Sequence, residues 1–251
     1  MEARWGSLEQ ETKSMSLIQH LEEFRKRLIT CLIAIVVTSA ASFLYVEEIR
    51  YLLIRPAGSL ELIYITPPEA LMANIRLAIL SGIILAMPIL VYQFLAFIMP
   101  ALYKNEKKIL FPIVIAMLLM FSVGIAFAYT IAFPFAINFF LKFASEDLIP
   151  MFTITQYIAF VTQFLLTFGL VFQLPLLFLV LGMMNVVSAP FLRKNRKYVL
   201  LVIAVGSALI TPPDVISQLM IGGPLWLLYE VGILLVAIVQ FRKRRRREKQ
   251  E

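Results

Sequence analysis

Six long apolar stretches alternate with shorter polar connections along this chain of 251 residues. The stretches cover residues 28–46, 70–99, 109–133, 154–181, 198–210 and 225–241. Backbone groups in lipid must be hydrogen-bonded internally, so each stretch is predicted to be a helix. The strict apolar–polar alternation of a transmembrane β-barrel is absent. The pattern therefore predicts an all-α, polytopic membrane protein with six transmembrane helices.

The last two stretches are short for membrane spans. At about 1.5 Å per residue, 198–210 reaches about 20 Å and 225–241 about 25 Å, below a hydrocarbon core of about 30 Å. Short spans thin the bilayer locally or leave water near one face. The alternative is that the helices end elsewhere than the apolar pattern indicates. Pro88 and Pro175 are predicted to kink other spans, which favours a curved, concave bundle.

Two similar tetrapeptides mark predicted helix starts on the outer side. Residues 66–69 (TPPE) precede the second stretch, and residues 211–214 (TPPD) precede the sixth. Thr as N-cap, Pro at the first helical position and an acid in the first turn all suit a helix N-terminus. We interpret both as structural, with a direct functional role for Asp214 as the alternative.

Composition places the chain in a bilayer, and its charges give an orientation. Hydrophobic residues make up 61% of the chain, against about 45–50% in soluble proteins. Of the 23 Lys and Arg residues, 19 lie in the N-terminal segment, the 100–108 and 182–197 loops and the C-terminal tail. The positive-inside rule then puts both termini in the cytoplasm of a cell-membrane protein. It also explains the net charge of +7 without nucleic acid.

Cysteine and histidine are too scarce for a metal or redox site. Cys31 is the only cysteine and lies inside the first apolar stretch, where a packing role is favoured. His20 is the only histidine, so a His-rich metal site has no basis. The sequence shows no nucleophile–base pair and no nucleotide-binding loop. We expect no metal, no cofactor and no enzymatic activity.

The chain divides into three segments. Residues 1–15 are predicted to be a disordered cytoplasmic leader, 16–241 a single six-helix transmembrane domain, and 242–251 a basic cytoplasmic tail. The first 27 residues carry five acids and no small-residue cleavage motif, so a cleavable signal peptide is not expected. The tail has seven cations and is interpreted as an anchor attracted to anionic membrane lipids.

Glu23 and Glu106 are acids surrounded by Lys and Arg. Glu23 lies in a segment, 16–28, that is predicted to be an amphipathic interfacial helix before the first span. Glu106 lies in the basic loop between the second and third spans. The predicted topology puts both on the cytoplasmic side, which suggests a joint site for further cations. The alternatives are an ordinary i,i+4 pair with Arg27 for Glu23, like Glu22–Lys26 beside it, and a solvated acid for Glu106.

Three of the polar residues inside the apolar stretches are candidate sites: Arg76, Gln173 and Glu230. Ionisable groups within a membrane face protein or water and mark functional or pairing sites. Glu230 is a candidate for function or subunit contact, whereas Arg76 lies near the end of its span and is a candidate for snorkelling. Gln173, beside Pro175, is expected to bond either the backbone freed by the proline or a polar side chain of a partner helix.

Five segments, in this order along the chain, resemble the TatC family, the multispanning receptors of the twin-arginine protein translocase. They are residues 20–28 (HLEEFRKRL), 88–93 (PILVYQ), 97–103 (FIMPALY) with Glu106, 127–134 (FAY and FP) and 211–214 (TPPD). Each segment is modest by itself, but five in the same order are specific. The resemblance covers about residues 15–241, nearly the whole chain.

The resemblance implies a receptor that binds the Arg-Arg motif of signal peptides on folded precursor proteins at the cytoplasmic face. The proton-motive force would drive export. Glu23 and Glu106 match the acids that receive the two arginines, and Arg25 and Phe97 match supporting positions. Family positions that are functionally sensitive on the outer side match Pro56, Tyr129 and Asp214. The chemistry suits this role, because a carboxylate accepts paired hydrogen bonds from guanidinium that Lys cannot reproduce.

Partners are implied by the same resemblance. Single-span TatA- or TatB-type proteins would assemble along the short fifth and sixth helices, which gives Gln218 and Glu230 a partner-facing role. A homo-oligomer within the complex is also expected. Two positions depart from the family: many relatives carry Glu where this chain has Gln173, and a common Trp is Leu95 here.

A small-solute secondary transporter is the alternative function. It predicts inverted repeats and broken helices with polar residues at the midplane. The six spans show no evident repeat, and their polar content is low. An intramembrane enzyme lacks a catalytic set, since the chain has one His and one Cys.

Overall fold

The computed structural model describes residues 17–57, 62–98, 110–142, 151–210 and 215–248. Helices make up most of these ranges. They are α1 Leu17–Phe43, α2 Val46–Ile54, α3 Pro68–Ile98, α4 Leu110–Phe127, α5 Phe133–Leu141, α6 Ile154–Val171, α7 Leu174–Met183, α8 Ala189–Lys194, α9 Arg196–Ile210 and α10 Val215–Glu248. The predicted leader 1–15, Glu106 and Asp214 lie outside the described residues.

Five helical segments within the described ranges are long and apolar enough to cross a membrane. They are Ile18–Phe43, Pro68–Ile98, Phe111–Leu141, Ile154–Met183 and Ile221–Lys243. The prediction of an all-α protein with several membrane-capable helices is therefore confirmed. The predicted fifth span, 198–210, is present as α9, but its 15 residues make it shorter than these five.

Several helices extend beyond the apolar residues from which they were predicted. The last is the clearest case, because α10 has 34 residues and continues through the basic tail to Glu248. The predicted bounds of 225–241 were therefore too narrow. Arg, Lys and Glu are good helix formers, so a helix does not end where its apolar face ends. Likewise, the predicted interfacial helix at 16–28 is the first part of α1 and runs into the span without a break.

Prolines shape the interruptions. The fourth membrane-capable segment is divided between Val171 and Leu174, where Pro175 stands at the start of α7. The third contains a π-helical turn, Ala128–Ala132, directly before α5, whose second residue is Pro134. Proline has no N–H to donate to the carbonyl four residues earlier, so the regular ladder is interrupted in front of it. Pro88 lies inside α3, which continues on both sides.

The start of α3 agrees with part of the predicted signal: a proline and an acid stand in its first turn, but among the described residues the Thr66 hydroxyl does not accept a hydrogen bond as an N-cap. The helix begins at Pro68 with Glu69 in its first turn. The Glu69 carboxylate accepts hydrogen bonds from the Thr66 hydroxyl at 3.0 Å and from the Ile65 N–H at 3.3 Å. An acid here also complements the positive end of the helix dipole. Residues 211–214, the second predicted signal of this kind, lie outside the described residues.

The core surrounds α6. Its buried face carries Tyr157, Phe164 and Phe168, and Phe133 of α5 packs edge-on against the first two of these rings. Two short parallel strands, β1 Leu62–Ile63 and β2 Phe152–Thr153, join the connections that precede α3 and α6. The Thr153 hydroxyl then caps α6 by accepting from the Gln156 N–H at 3.3 Å.

The packing of α1 on α3 depends on a glycine. A Cβ on Gly82 would lie 2.6 Å from Cα of Ser39, which is too close for any side chain without a backbone shift. The Thr38 hydroxyl donates to the Gly82 carbonyl at 2.8 Å across the same contact. The two helices therefore pack closely where the C-terminal part of α1 meets the middle of α3.

Candidate functional site

The N-terminal end of α1 faces the C-terminal end of α3. Side chains of both form a polar and aromatic group that we call the Glu23 cluster. Residues three or four apart share one face of a helix, so four residues of α1 point the same way. They meet two residues of α3 that are likewise four apart. The cluster consists of His20, Glu23, Phe24 and Arg27 of α1 with Gln93 and Phe97 of α3.

Glu23 holds a guanidinium group within the cluster. Nε and Nη2 of Arg27 donate to Oε1 of Glu23 at 3.0 and 2.5 Å. Nη1 of the same side chain donates to Oε1 of Gln93 at 3.0 Å, which links α1 to α3. The other carboxylate oxygen, Oε2 of Glu23, is buried and accepts no hydrogen bond from the described residues. Half of this carboxylate's accepting capacity is therefore unused.

Phe97 forms the aromatic wall beside the carboxylate. The His20 ring stacks on it with centroids 4.4 Å apart, and Phe24 lies against it at 5.5 Å. Phe24 itself is 49% exposed, so the wall is open on one side. A planar, weakly hydrated guanidinium can stack on such rings as well as bond to a carboxylate.

A second ion pair on the same helix gives a measure of what is special about the first. Glu22 and Lys26 are paired at 3.1 Å, but their side chains are 61% and 75% exposed. In the Glu23–Arg27 pair the corresponding values are 19% and 24%. Both predicted i,i+4 pairs are thus present, and only the Glu23–Arg27 pair lies partly inside the protein. Electrostatic interactions are stronger where water is partly excluded.

The other predicted members of this site are placed less fully. Arg25 is exposed on α1 and makes no ion pair with the described residues. Glu106 lies outside the described residues, so its distance from Glu23 stays a prediction. No set of three or more His, Cys, Asp or Glu that could hold a metal is present in the part of the chain that the structure describes.

Pro56 and Tyr129 meet at a second place, which we call the Pro56 junction. In a regular helix the Leu52 carbonyl would accept from the N–H of residue 56, and proline has none. The Tyr129 hydroxyl donates to that carbonyl instead, at 2.7 Å. The Tyr157 hydroxyl donates to the next carbonyl, that of Leu53, at 2.9 Å. Two tyrosines from the bundle therefore bond carbonyls at the end of α2, and Pro56 leaves the first of these, that of Leu52, without its helical donor.

Gln173 is buried where α6 gives way to α7. Its Nε2 donates to the Met117 carbonyl of α4 at 3.1 Å, so it does not bond the backbone freed by Pro175. A bond from Gln173 to a polar side chain of a partner helix, the other predicted role, stays a prediction. Oε1 of Gln173 is buried and accepts no hydrogen bond from the described residues.

Glu230 and Gln218 both connect α10 to α9. Arg196, the first residue of α9, pairs with Glu230 at 2.5 Å, and Gln218 donates to the Ala204 carbonyl at 2.8 Å. The first residue of α9 is thus held about midway along α10, far from the basic end, where Lys243 donates to the Met183 carbonyl. Glu230 is therefore a pairing residue within the chain, and α9 spans less depth than α10.

Comparison with known proteins identifies the family. The family model described as "Sec-independent protein translocase protein (TatC)" matches residues 19–224. The chain belongs to the TatC family. A TatC protein of Carboxydothermus hydrogenoformans is 41% identical over 92% of this chain and 96% of its own length. TatC of Escherichia coli K12 is 37% identical over 86% of each chain, and TatCy of Bacillus subtilis is 36% identical over 90% of each.

Solved structures agree with this membership. A crystal structure of the twin-arginine translocase receptor TatC is 34% identical and covers 88% of this chain and 99% of its own, with a TM-score of 0.77. A second one, in the detergent DDM, is 36% identical with a TM-score of 0.79 over 86% and 98%. This TatC-family chain is therefore a membrane component of the Sec-independent, twin-arginine protein translocase.

Sequence reasoning overlooked part of the Glu23 cluster. Gln93 was noted only within a motif, although it bonds Arg27 across 66 positions of sequence. Arg27 was regarded as a local partner alone. A polar residue near the end of an apolar span was the available signal for Gln93. The helix pairing that brings it to Arg27 is not visible in a single sequence.

Proposed function

We propose that this chain is the signal-receiving subunit of the translocase and that it binds the Arg-Arg motif of signal peptides at the cytoplasmic face. The observation that carries the proposal is the Glu23 carboxylate. It sits in a segment typical of the family, already bonds one guanidinium, and has a second oxygen without a hydrogen-bond partner among the described residues. Its chemistry therefore fits arginine.

The remaining site residues receive roles in the same proposal. Glu106 accepts the second arginine of the motif. Phe97 provides a face on which a guanidinium stacks, as its contacts with His20 and Phe24 support. Arg25, exposed beside Glu23, repels cations that lack two well-placed guanidinium groups. On the opposite side, Pro56, Tyr129 and Asp214 hold the outer connections on which transport depends.

The experiment is crosslinking of a folded precursor whose signal peptide carries a photoreactive group beside the Arg-Arg pair. Glu23→Gln and Glu106→Gln each remove a charged acceptor without changing side-chain size, and we expect crosslinking to this chain to fall about tenfold. Glu22→Gln is the matched control, since Glu22 is adjacent, acidic and paired with Lys26 instead. Undiminished crosslinking in the Glu23→Gln, Glu106→Gln double variant would contradict the proposal.

The proposed topology has six spans in the plasma membrane, with both termini in the cytoplasm and the helices in a curved bundle. Five membrane-capable helices and the short α9 between the fourth and fifth support it. If α9 did not cross, the termini would lie on opposite sides. Fusion of a reporter that is active only in the cytoplasm to either end distinguishes the two arrangements, and we expect activity at both.

TatA- or TatB-type single-span proteins are the proposed partners, together with further copies of this chain. An apolar row on α9 is exposed and supports packing of another helix there. Its members are Leu200, Leu201, Val202 and Val205. Gln218 and Glu230 of α10 then hold α9 in position for the partner, since both bond α9 residues within the chain. With Cys31 replaced, a cysteine at Val202 is expected to crosslink to a partner helix, and one at the buried Ile233 is not.

Transport is proposed to use the proton-motive force, with no cofactor and no catalytic activity of this chain. A liposome assay with the purified chain alone is expected to show no solute uptake. Coupled uptake there would favour the secondary-transporter alternative instead.

A further inference from the structure

Arg27 already occupies the carboxylate that the proposed function assigns to an incoming arginine. Its Nε and Nη2 both donate to Oε1 of Glu23, and its Nη1 donates to Gln93. The two bonds to Glu23 are charge-assisted but converge on one oxygen, so they lack the parallel two-oxygen geometry of the strongest arginine–carboxylate pairs. The chain thus presents its own arginine at the position where a ligand arginine is expected.

We propose that Arg27 is an internal competitor at the Glu23 cluster, displaced from Glu23 when the arginine of a signal peptide binds. This inference rests on the proposed function, because it concerns the same carboxylate. It adds a residue that sets the affinity of the site, Arg27, and a second one, Gln93, that holds this competitor in place. Gln93 keeps one contact with Arg27 when the bonds to Glu23 are lost, so the displaced side chain stays nearby.

The geometry favours displacement over simple addition. Oε1 of Glu23 already accepts two hydrogen bonds, which uses both of its lone pairs. Oε2 has no partner among the described residues, but it is buried, so a ligand cannot reach it while the present arrangement lasts. Movement of Arg27 exposes both oxygens together. A paired contact with an external guanidinium then becomes possible.

The weakness of the Glu23–Arg27 pair explains why an arginine of a peptide can displace Arg27. Arg27 is four residues from Glu23 on one helix, and such pairs contribute little to helix stability. A peptide guanidinium replaces the lost bonds with equivalent ones. A lysine ammonium, a point charge without the planar fork, replaces them poorly, so Arg27 remains in place. Displacing Arg27 costs the same for either ligand, so the competitor lowers both affinities by one factor, and only arginine, which bonds the carboxylate better, still binds at low concentration.

The test measures binding of a fluorescent peptide containing adjacent arginines to the full chain in lipid nanodiscs, beside an otherwise identical peptide with two lysines. Arg27→Gln removes the competitor, and we expect the Arg-Arg peptide to bind about twofold to fivefold tighter. The Lys-Lys peptide should gain by the same factor, because the cost of displacing Arg27 does not depend on the ligand. Arg27→Lys keeps the charge and removes the fork; a smaller gain is expected there, which separates competition from a general change in charge.

Two controls make the outcome decisive. Lys26→Gln removes the same charge one residue away, from a side chain paired with Glu22, and is expected to leave affinity unchanged. Glu23→Gln is expected to abolish the preference for arginine. Equal or weaker binding in both Arg27 variants, or an equal gain in Lys26→Gln, would overturn the inference while leaving the proposed function intact. Unchanged binding in Glu23→Gln would instead remove the proposed site itself.

Discussion

The Glu23 cluster and the Pro56 junction are built in opposite ways. At the Glu23 cluster, charged side chains bond other side chains, and each has an alternative partner or an unused acceptor. At the Pro56 junction, tyrosine hydroxyls bond backbone carbonyls. A side chain can change partners by rotating, whereas a helix carbonyl stays where the backbone puts it. The comparison teaches that the first place suits exchange of a ligand and the second suits a fixed joint.

The largest effect on stability is expected at the fixed joint. The Tyr157 side chain is 1% exposed, and Tyr157→Phe removes a buried donor to the Leu53 carbonyl. We expect a loss of about 1–3 kcal/mol in the free energy of unfolding, measured in mixed detergent micelles. Tyr198→Phe, at an exposed tyrosine of α9, is the matched control and should change nothing. Equal effects of the two substitutions would show that the joint does not depend on this bond.

A double-mutant cycle sharpens the account of the same joint. Tyr129→Phe should cost about 1 kcal/mol, since Leu52 then lacks both its helical partner and the hydroxyl. Pro56→Ala restores an N–H at the position from which the Leu52 carbonyl is normally satisfied. Tyr129→Phe is therefore expected to cost much less in the Pro56→Ala background. The measurement is the unfolding midpoint of all four proteins, and additive effects would mean that Pro56 and Tyr129 act separately.

The smallest effect on stability is expected at the Glu23 cluster. Glu23→Gln breaks a pair whose side chains are about one-fifth exposed, and partly exposed pairs contribute about 0.2–1 kcal/mol. Glu22→Gln, at the more exposed pair, should leave the unfolding midpoint unchanged. Peptide binding should respond in the opposite order to stability, with Glu23→Gln far more harmful than Tyr157→Phe. A large loss of stability in Glu23→Gln would show that the Glu23 cluster is a structural joint as well, and would contradict the difference drawn between it and the Pro56 junction.

The sequence alone determined the helical class, the membrane and the local pairs. Apolar stretches must become helices in lipid, and the spacing of Glu22, Glu23, Lys26 and Arg27 creates both i,i+4 pairs whatever surrounds them. The start of α3 and the interruption near Pro175 also followed from local chemistry, because proline removes a donor wherever it stands.

Only the tertiary structure decided which of these local features became sites. Glu23 differs from Glu22 because α3 lies against its side of α1. Gln93 reached Arg27, Tyr129 reached Leu52 and Arg196 reached Glu230 across long separations in sequence. Periodicity fixes which residues share a helix face, but the neighbour of that face depends on how whole helices pack against one another.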